Sequence, residues 1–233
     1  MLNDRILVVS DLHAPFMHRD TVSFLDECKR KYKPTRVVLS GDEAEKQALK
    51  YHELDPELPS AGDELDQTIS SLAPIYALFK NADVLDSNHG SLAFRKAKTA
   101  GIPRKYLRPP GEVLRAPKGW AWHNQLLLRA GSRDILFMHG VSSNVREVVS
   151  NWGVCFVQGH YHTLFEIQYV AQPTKNLWGM TVGCLIDDAR LAFAYNKLQV
   201  KRPMLGCGVI INGEPKLIPM NLTEDGEWDG QVA

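Results

Sequence analysis

Five of the eight histidines in this chain stand just after short apolar runs, in company with aspartates and an asparagine. Ile6-Leu7-Val8-Val9 runs into Ser10-Asp11-Leu12-His13, and Val37-Val38-Leu39 into Ser40-Gly41-Asp42. Val84-Leu85 precedes Asn88-His89, Ile135-Leu136-Phe137-Met138 precedes His139, and Val154-Cys155-Phe156-Val157 precedes Gly159-His160-Tyr161-His162. Imidazole, carboxylate and amide donors in one set suit Mn, Fe, Zn, Co or Ni better than Ca or Mg. The set is too large for one ion and the right size for two, which a bridging carboxylate would hold about 3.5–4 Å apart. In an extended segment His160 and His162 point to the same side, roughly 6.5–7 Å apart, so each can serve one of two neighbouring ions. Two divalent cations against Asp11 and Asp42 leave a positive site, which draws in a phosphate and polarises its oxygens.

The ordered motifs Asp11-Leu12-His13, Gly41-Asp42, Asn88-His89, His139-Gly140 and Gly159-His160-Tyr161-His162 resemble those of the calcineurin-like metallophosphoesterases, over residues 5 to about 165. The resemblance implies that Asp11, His13, Asp42 and His162 bind a first metal. Asn88, His139 and His160 would complete a second, with Asp42 as the bridge. Mn is the ion expected first, with Fe, Zn, Ni or Co as alternatives. His89 is implied to be the catalytic residue and no ligand: it stabilises charge on the phosphate or protonates the leaving oxygen, while a hydroxide between the metals attacks in line. Two departures stand out. Relatives carry an acid after the Asn-His pair, where this chain has Gly90, and the segment Gly41-Asp42-Glu43-Ala44-Glu45 ends in Glu and, with Lys46 next, lacks the Arg-Gly of the protein phosphatases. His52 and Arg95 are candidate substrate contacts, each with a solvated surface residue as its alternative. The chain is also similar to small metallophosphoesterases of tailed phages, which implies the cytoplasm of a host.

To bring these residues together, the apolar runs must be buried strands whose carboxyl ends share one crevice. Phe24, Leu25, Cys28 and Tyr32 mark one face of a helix that stops at Pro34. Leu65, Ile69, Leu72 and Tyr76 mark another, which Pro74 is expected to kink or divide. A helix capped by Ser91 runs to about Thr99, ahead of Gly101 and Pro103. From about Trp120 the chain reads as strand-rich, with hairpins at Ala130-Gly131-Ser132 and Asn212-Gly213. The expected fold is α/β: two packed mixed sheets flanked by helices, the four-layer α/β/β/α sandwich of the metallophosphoesterases. Residues 1–222 form one domain and 223–233 a loose acidic tail.

Lysine plus arginine balances aspartate plus glutamate at 27 each, which argues against a protein built mainly to coat nucleic acid. The stretch Arg104-Lys105-Tyr106-Leu107-Arg108, with Arg115, Lys118, Trp120 and Trp122 beyond it, suits phosphates and base stacking. It suits an ordinary loop leading into a strand still better. Asp187-Asp188 read as a turn. Tyr195, Lys197, Lys201 and Arg202 fit a subunit interface or the rim of the site. The four cysteines have no metal-site spacing and read as reduced, packed thiols, and the short apolar start is neither a signal peptide nor a membrane span, so the expected setting is cytoplasmic. The function expected is hydrolysis of a small nucleotide-like or cyclic phosphodiester. A nuclease or phosphomonoesterase of the same superfamily is the first alternative. A non-catalytic interaction scaffold on the same fold is the second.

Overall fold

The structure, a computed structural model, describes residues 4–51, 58–190 and 202–232. His52, Tyr195, Lys197 and Lys201 lie outside the described residues. The first half of the chain runs β1 (Arg5–Val9), α1 (Thr21–Tyr32), β2 (Arg36–Leu39), α2 (Ala61–Leu78), β3 (Asn81–Leu85), α3 (Leu92–Thr99), α4 (Pro110–Val113) and β4 (Gly119–His123). The second runs β5 (Leu126–Ala130), β6 (Arg133–Phe137), α5 (Val145–Trp152), β7 (Cys155–Gln158), β8 (Phe165–Ala171), β9 (Asn176–Val182), β10 (Gly206–Ile211) and β11 (Glu214–Pro219).

Two mixed sheets result. The first has the order β11-β10-β1-β2-β3-β4, and the second β5-β6-β7-β9-β8. Strands β1, β2 and β3 are parallel neighbours, as are β6 and β7, so their carboxyl ends emerge on common edges. Strand β1 shows why the sheets stack. Leu7 and Val9 face the cluster that includes Phe24, Leu25 and Cys28 of α1 and Leu72 and Ile75 of α2. Ile6 and Val8 face the opposite cluster, with Ile135, Phe137, Cys155 and Val157 of the second sheet and Val145, Val148 and Val149 of α5. Alternate residues of an extended strand point to opposite faces, so one four-residue apolar run fills two layers. Helices therefore cover both outer faces, and the fold is the expected metallophosphoesterase-type sandwich.

Local expectations fare variously. The hairpins close at the expected residues: Gly131 has φ 57°, and Asn212 and Gly213 have φ 52° and 89°, as a two-residue type I′ turn requires. Pro74 does not divide α2, because Leu72 on one side and Ile75 and Tyr76 on the other are all buried in one core. Ser91 occupies the N-cap of α3, but its hydroxyl donates to the Asn88 carbonyl and caps no helical N–H. Helix α5 interrupts the strand-rich half; Asn144 caps its start and Gly153 ends it in the left-handed region. Trp120 and Trp122 belong to β4, and Trp120 packs edge-on against Tyr76 with centroids 4.7 Å apart, so these two rings are core. The tail is docked where a loose one was expected. Trp228 meets the Phe24 ring at 5.6 Å, its N–H donates to Asp20, and Lys31 reaches the Val232 carbonyl. No described helix is long and apolar enough to cross a membrane.

Candidate metal centre and active site

Every motif residue picked out after an apolar run reaches one cleft between the sheets. Asp11 and His13 follow β1, Asp42 follows β2, and Asn88 and His89 follow β3. His139 follows β6, and His160 and His162 follow β7. The loops after β1 and β2 stay paired past the strand ends: Asp11 N donates to Gly41 O, His13 N to Asp42 O and Ala14 N to Glu43 O. Asp11, His13, Asp42 and His160 all have φ between 47° and 67°, a left-handed conformation that is unfavourable for residues with a side chain. These backbone bonds, with His160 N on Asp11 Oδ2 at 2.8 Å, hold them there. Gly41 (φ 92°) also has no room for a side chain, since a Cβ there would sit 2.7 Å from Nδ1 of His139.

Three overlapping groups of ligand atoms result: Asp11, His13 and His162; His13, Asp42 and His89; and Asp42, His139 and His160. In the first, His162 Nε2 lies 3.1 Å from Asp11 Oδ1 and 3.2 Å from His13 Nε2. In the last, His139 Nε2 lies 3.1 Å from Asp42 Oδ2, 2.7 Å from Asn88 Oδ1 and 3.2 Å from His160 Nδ1. The outer nitrogens of two of these rings are already committed. Nδ1 of His139 donates to the Ser40 carbonyl, and Nδ1 of His13 donates to the carboxylate of Glu45. Fixing Nδ1–H in this way turns the Nε2 lone pair inward, which is how metal-binding histidines are oriented. The inward faces then present acceptors to acceptors, and only a proton or a cation can reconcile them.

The electrostatics say the same. Burial alone would lower the pKa of His13, but its bonds to Asp11 and Glu45 and the charges of Glu45 and Asp42 raise it to about 10. His139 is likewise raised to about 9 by Asp42 and Asp11 against its burial. Although burial works against them too, the neighbouring histidines hold Asp11 and Asp42 below the usual carboxylate range. Protons thus collect on His13 and His139, where a cation would bind. His89 differs: burial outweighs Asp42 and Glu45 and lowers its pKa.

The family profile described as calcineurin-like phosphoesterase matches residues 4–184, which takes in every one of these motifs. The chain belongs to the calcineurin-like phosphoesterase family. No curated protein sequence matches it. Among solved structures, it resembles vacuolar protein sorting 29 of Cryptosporidium parvum at a TM-score of 0.52 and 13% identity, covering 99% of this chain and 95% of that one. Vacuolar protein sorting 29 of Chaetomium thermophilum gives 0.52 and 12% identity, with 100% and 95% covered. A structure described as a novel archaeal phosphodiesterase gives 0.48 and 11%, with 98% and 99% covered. At these identities the likeness to the two vacuolar protein sorting 29 structures is one of fold.

Within the calcineurin-like phosphoesterase family, the departure at Gly90 has a steric reason. A Cβ at Gly90 would lie 2.8 Å from Ser87 Oγ, which accepts from the N–H groups of Gly90 and Asp42. A carboxylate from another loop stands near His89. Glu45, fully buried, touches Nδ1 of His13 and Nζ of Lys50, and one of its oxygens lies 3.5 Å from Nδ1 of His89. Its position three residues after Asp42 is the available signal, although in the sequence it stands out only as a departure from the family pattern. Glu43, one residue after Asp42, turns away from the cleft to meet Nε1 of Trp122, and burial raises its pKa. Arg95 donates to the Asn88 carbonyl at 2.8 Å, beside the cleft.

Proposed function

We propose that this chain is a metal-dependent phosphodiesterase acting on a small nucleotide-like or cyclic phosphodiester. Two divalent ions, Mn foremost, would be held by Asp11, His13, Asp42 and His162 on one side and by Asp42, Asn88, His139 and His160 on the other. The observation that carries this reading is the convergence of inward lone pairs on His13 and His139, whose Nδ1 atoms are already spent on Glu45 and Ser40. When bound, such ions polarise a phosphoryl oxygen and lower the pKa of a water.

The chain's own residues do the rest. His89 N–H donates to Asp42 Oδ1 at 3.1 Å, which fixes that carboxylate. A carbonyl can only accept, so Nδ1 of His89, bonded to Glu45 O, carries a proton. Once the ring is protonated at Nε2 as well, the imidazolium hands that Nε2 proton to the leaving oxygen while Nδ1–H stays on Glu45 O. Arg95 is a substrate contact in this reading, poised by its bond to Asn88. Four buried, free cysteines accord with a reducing cytoplasm, a phage host's included.

The test is metal content together with hydrolysis of bis-p-nitrophenyl phosphate and p-nitrophenyl phosphate in added manganese. Bound manganese and diester cleavage that disappears in Asp42→Ala are expected. A preparation that binds no metal and cleaves neither ester overturns the reading in favour of an interaction scaffold on the same fold.

A further inference from the structure

Beside the metal centre lies a second, larger hollow. A cavity of about 650 Å³ opens between the start of α3, α2 and the segment Arg104–Pro110, within the size range of small-molecule sites. It adjoins a recess of about 400 Å³ lined by Asn88, His139 and His160, and Asp86 and Ser91 belong to both walls. Gly90, next to His89, lines the larger one.

The chemistry of the larger cavity is specific. Phe94, Tyr106, Leu65 and Leu107 give it an apolar, partly aromatic lining, and Tyr106 is 74% exposed. The guanidinium of Arg104 stacks over Phe94 at 5.0 Å from the ring centroid. Lys46, Arg104 and Arg108 supply positive charge. Among the described residues, neither Arg104 nor Arg108 pairs with a carboxylate. Of the two acids in the wall, Glu64 already accepts from the N–H groups of Gln47 and Ala48, and Asp86 from that of Ser87. Aromatic rings and guanidinium planes stack nucleobases, and unpaired cations draw in anions. A lipid tail would have no use for the cations, and a phosphopeptide would have no use for the apolar, aromatic wall.

We infer that this cavity is a nucleoside subsite: it takes the base of a nucleotide whose scissile phosphate faces the histidine cluster, with Phe94, Arg104 and Tyr106 as the stacking surface and Arg108 as an anion contact. The stretch Arg104–Arg108, unused by the metal centre, is thereby a specificity determinant. The inference rests on the phosphodiester reading and names its substrate class.

Two esters with the same leaving group read the subsite: the p-nitrophenyl ester of thymidylate and methyl p-nitrophenyl phosphate. Manganese-loaded wild type should prefer the nucleoside ester by at least about tenfold in kcat/KM, the scale of a lost stacking contact. That ratio should fall toward one in Phe94→Leu and in the exposed-site variant Arg104→Ala. No preference in wild type, or a preference untouched in both variants, overturns the inference while the phosphodiester reading stands. If neither ester is cleaved, that reading fails instead, and the subsite is read by titrating thymidylate into metal-free protein. Saturable binding that weakens about tenfold in Arg104→Ala supports the subsite, and no binding overturns it.

Discussion

Nδ1 of His89 donates its hydrogen to the backbone carbonyl of Glu45, so the tautomer of the proposed acid is set by the main chain. A side-chain partner can be mutated away, but this one survives any substitution that leaves the loop in place. The same residue's carboxylate orients His13, so Glu45 supports the acid and a ligand through different atoms.

His89→Ala should reduce turnover by about 10²–10⁴-fold, the usual contribution of a positioned acid. Metal content, measured by atomic emission, should stay at the wild-type level. A fall by half would make His89 a ligand and refute its role as acid.

Glu45→Gln keeps the carbonyl that holds His89 but removes the charge beside His13. Manganese affinity should drop by about 10–100-fold, as losses behind a metal ligand do. At saturating manganese kcat should recover most of its value. A kcat that stays low at any manganese concentration would place the carboxylate in the chemistry itself.

The metal-free protein should lose stability as pH rises from 6.5 to about 10. The folded pKa values of His13 and His139 are about 10 and about 9, both above the unfolded 6.5. The folded state therefore holds more protons than the unfolded one across that window, and its advantage declines as they leave. His89 and His160 have lowered values and act only below 6.5, so they leave this window alone. Manganese displaces the same protons and should abolish the decline. Thermal melts in chelator and in manganese across this range make the comparison, and a flat profile in chelator contradicts the assignment.

Gly90→Asp would insert the acid that relatives carry. Its Cβ would press on Ser87 Oγ, the acceptor shared by Gly90 and Asp42. A lower melting temperature and no gain in kcat are expected. A faster, equally stable variant would show that the position is simply unoptimised.

The candidate ligand set was legible because each member stands just past a short apolar run, and parallel strands deliver the residues at their carboxyl ends to one edge. Asp11, Asp42 and His139 needed no knowledge of side-chain packing to be found. Glu45 was not legible: its partner His13 lies 32 residues away, and only the loop pairing that continues β1 and β2 brings them together. Helix α5 lies in the half that reads as strand-rich, and what shapes it is the Asn144 cap and a face packed on the second sheet. The docking of Trp228 on Phe24 is a contact across some two hundred residues that an acidic, glycine-containing tail does not announce.

The first sheet supplies Asp11, Asp42, Asn88 and His89 to the cleft, and the second supplies His139, His160 and His162. At the β4–β5 edge the covalent join between the sheets is the two-residue link Asn124–Gln125. Any cation gripped by both sets of donors is consequently a rivet through the sandwich. In the proposed enzyme, catalytic readiness and mechanical closure would then be one property, and stripping the cation should let the two halves breathe apart at the edge where these donors meet.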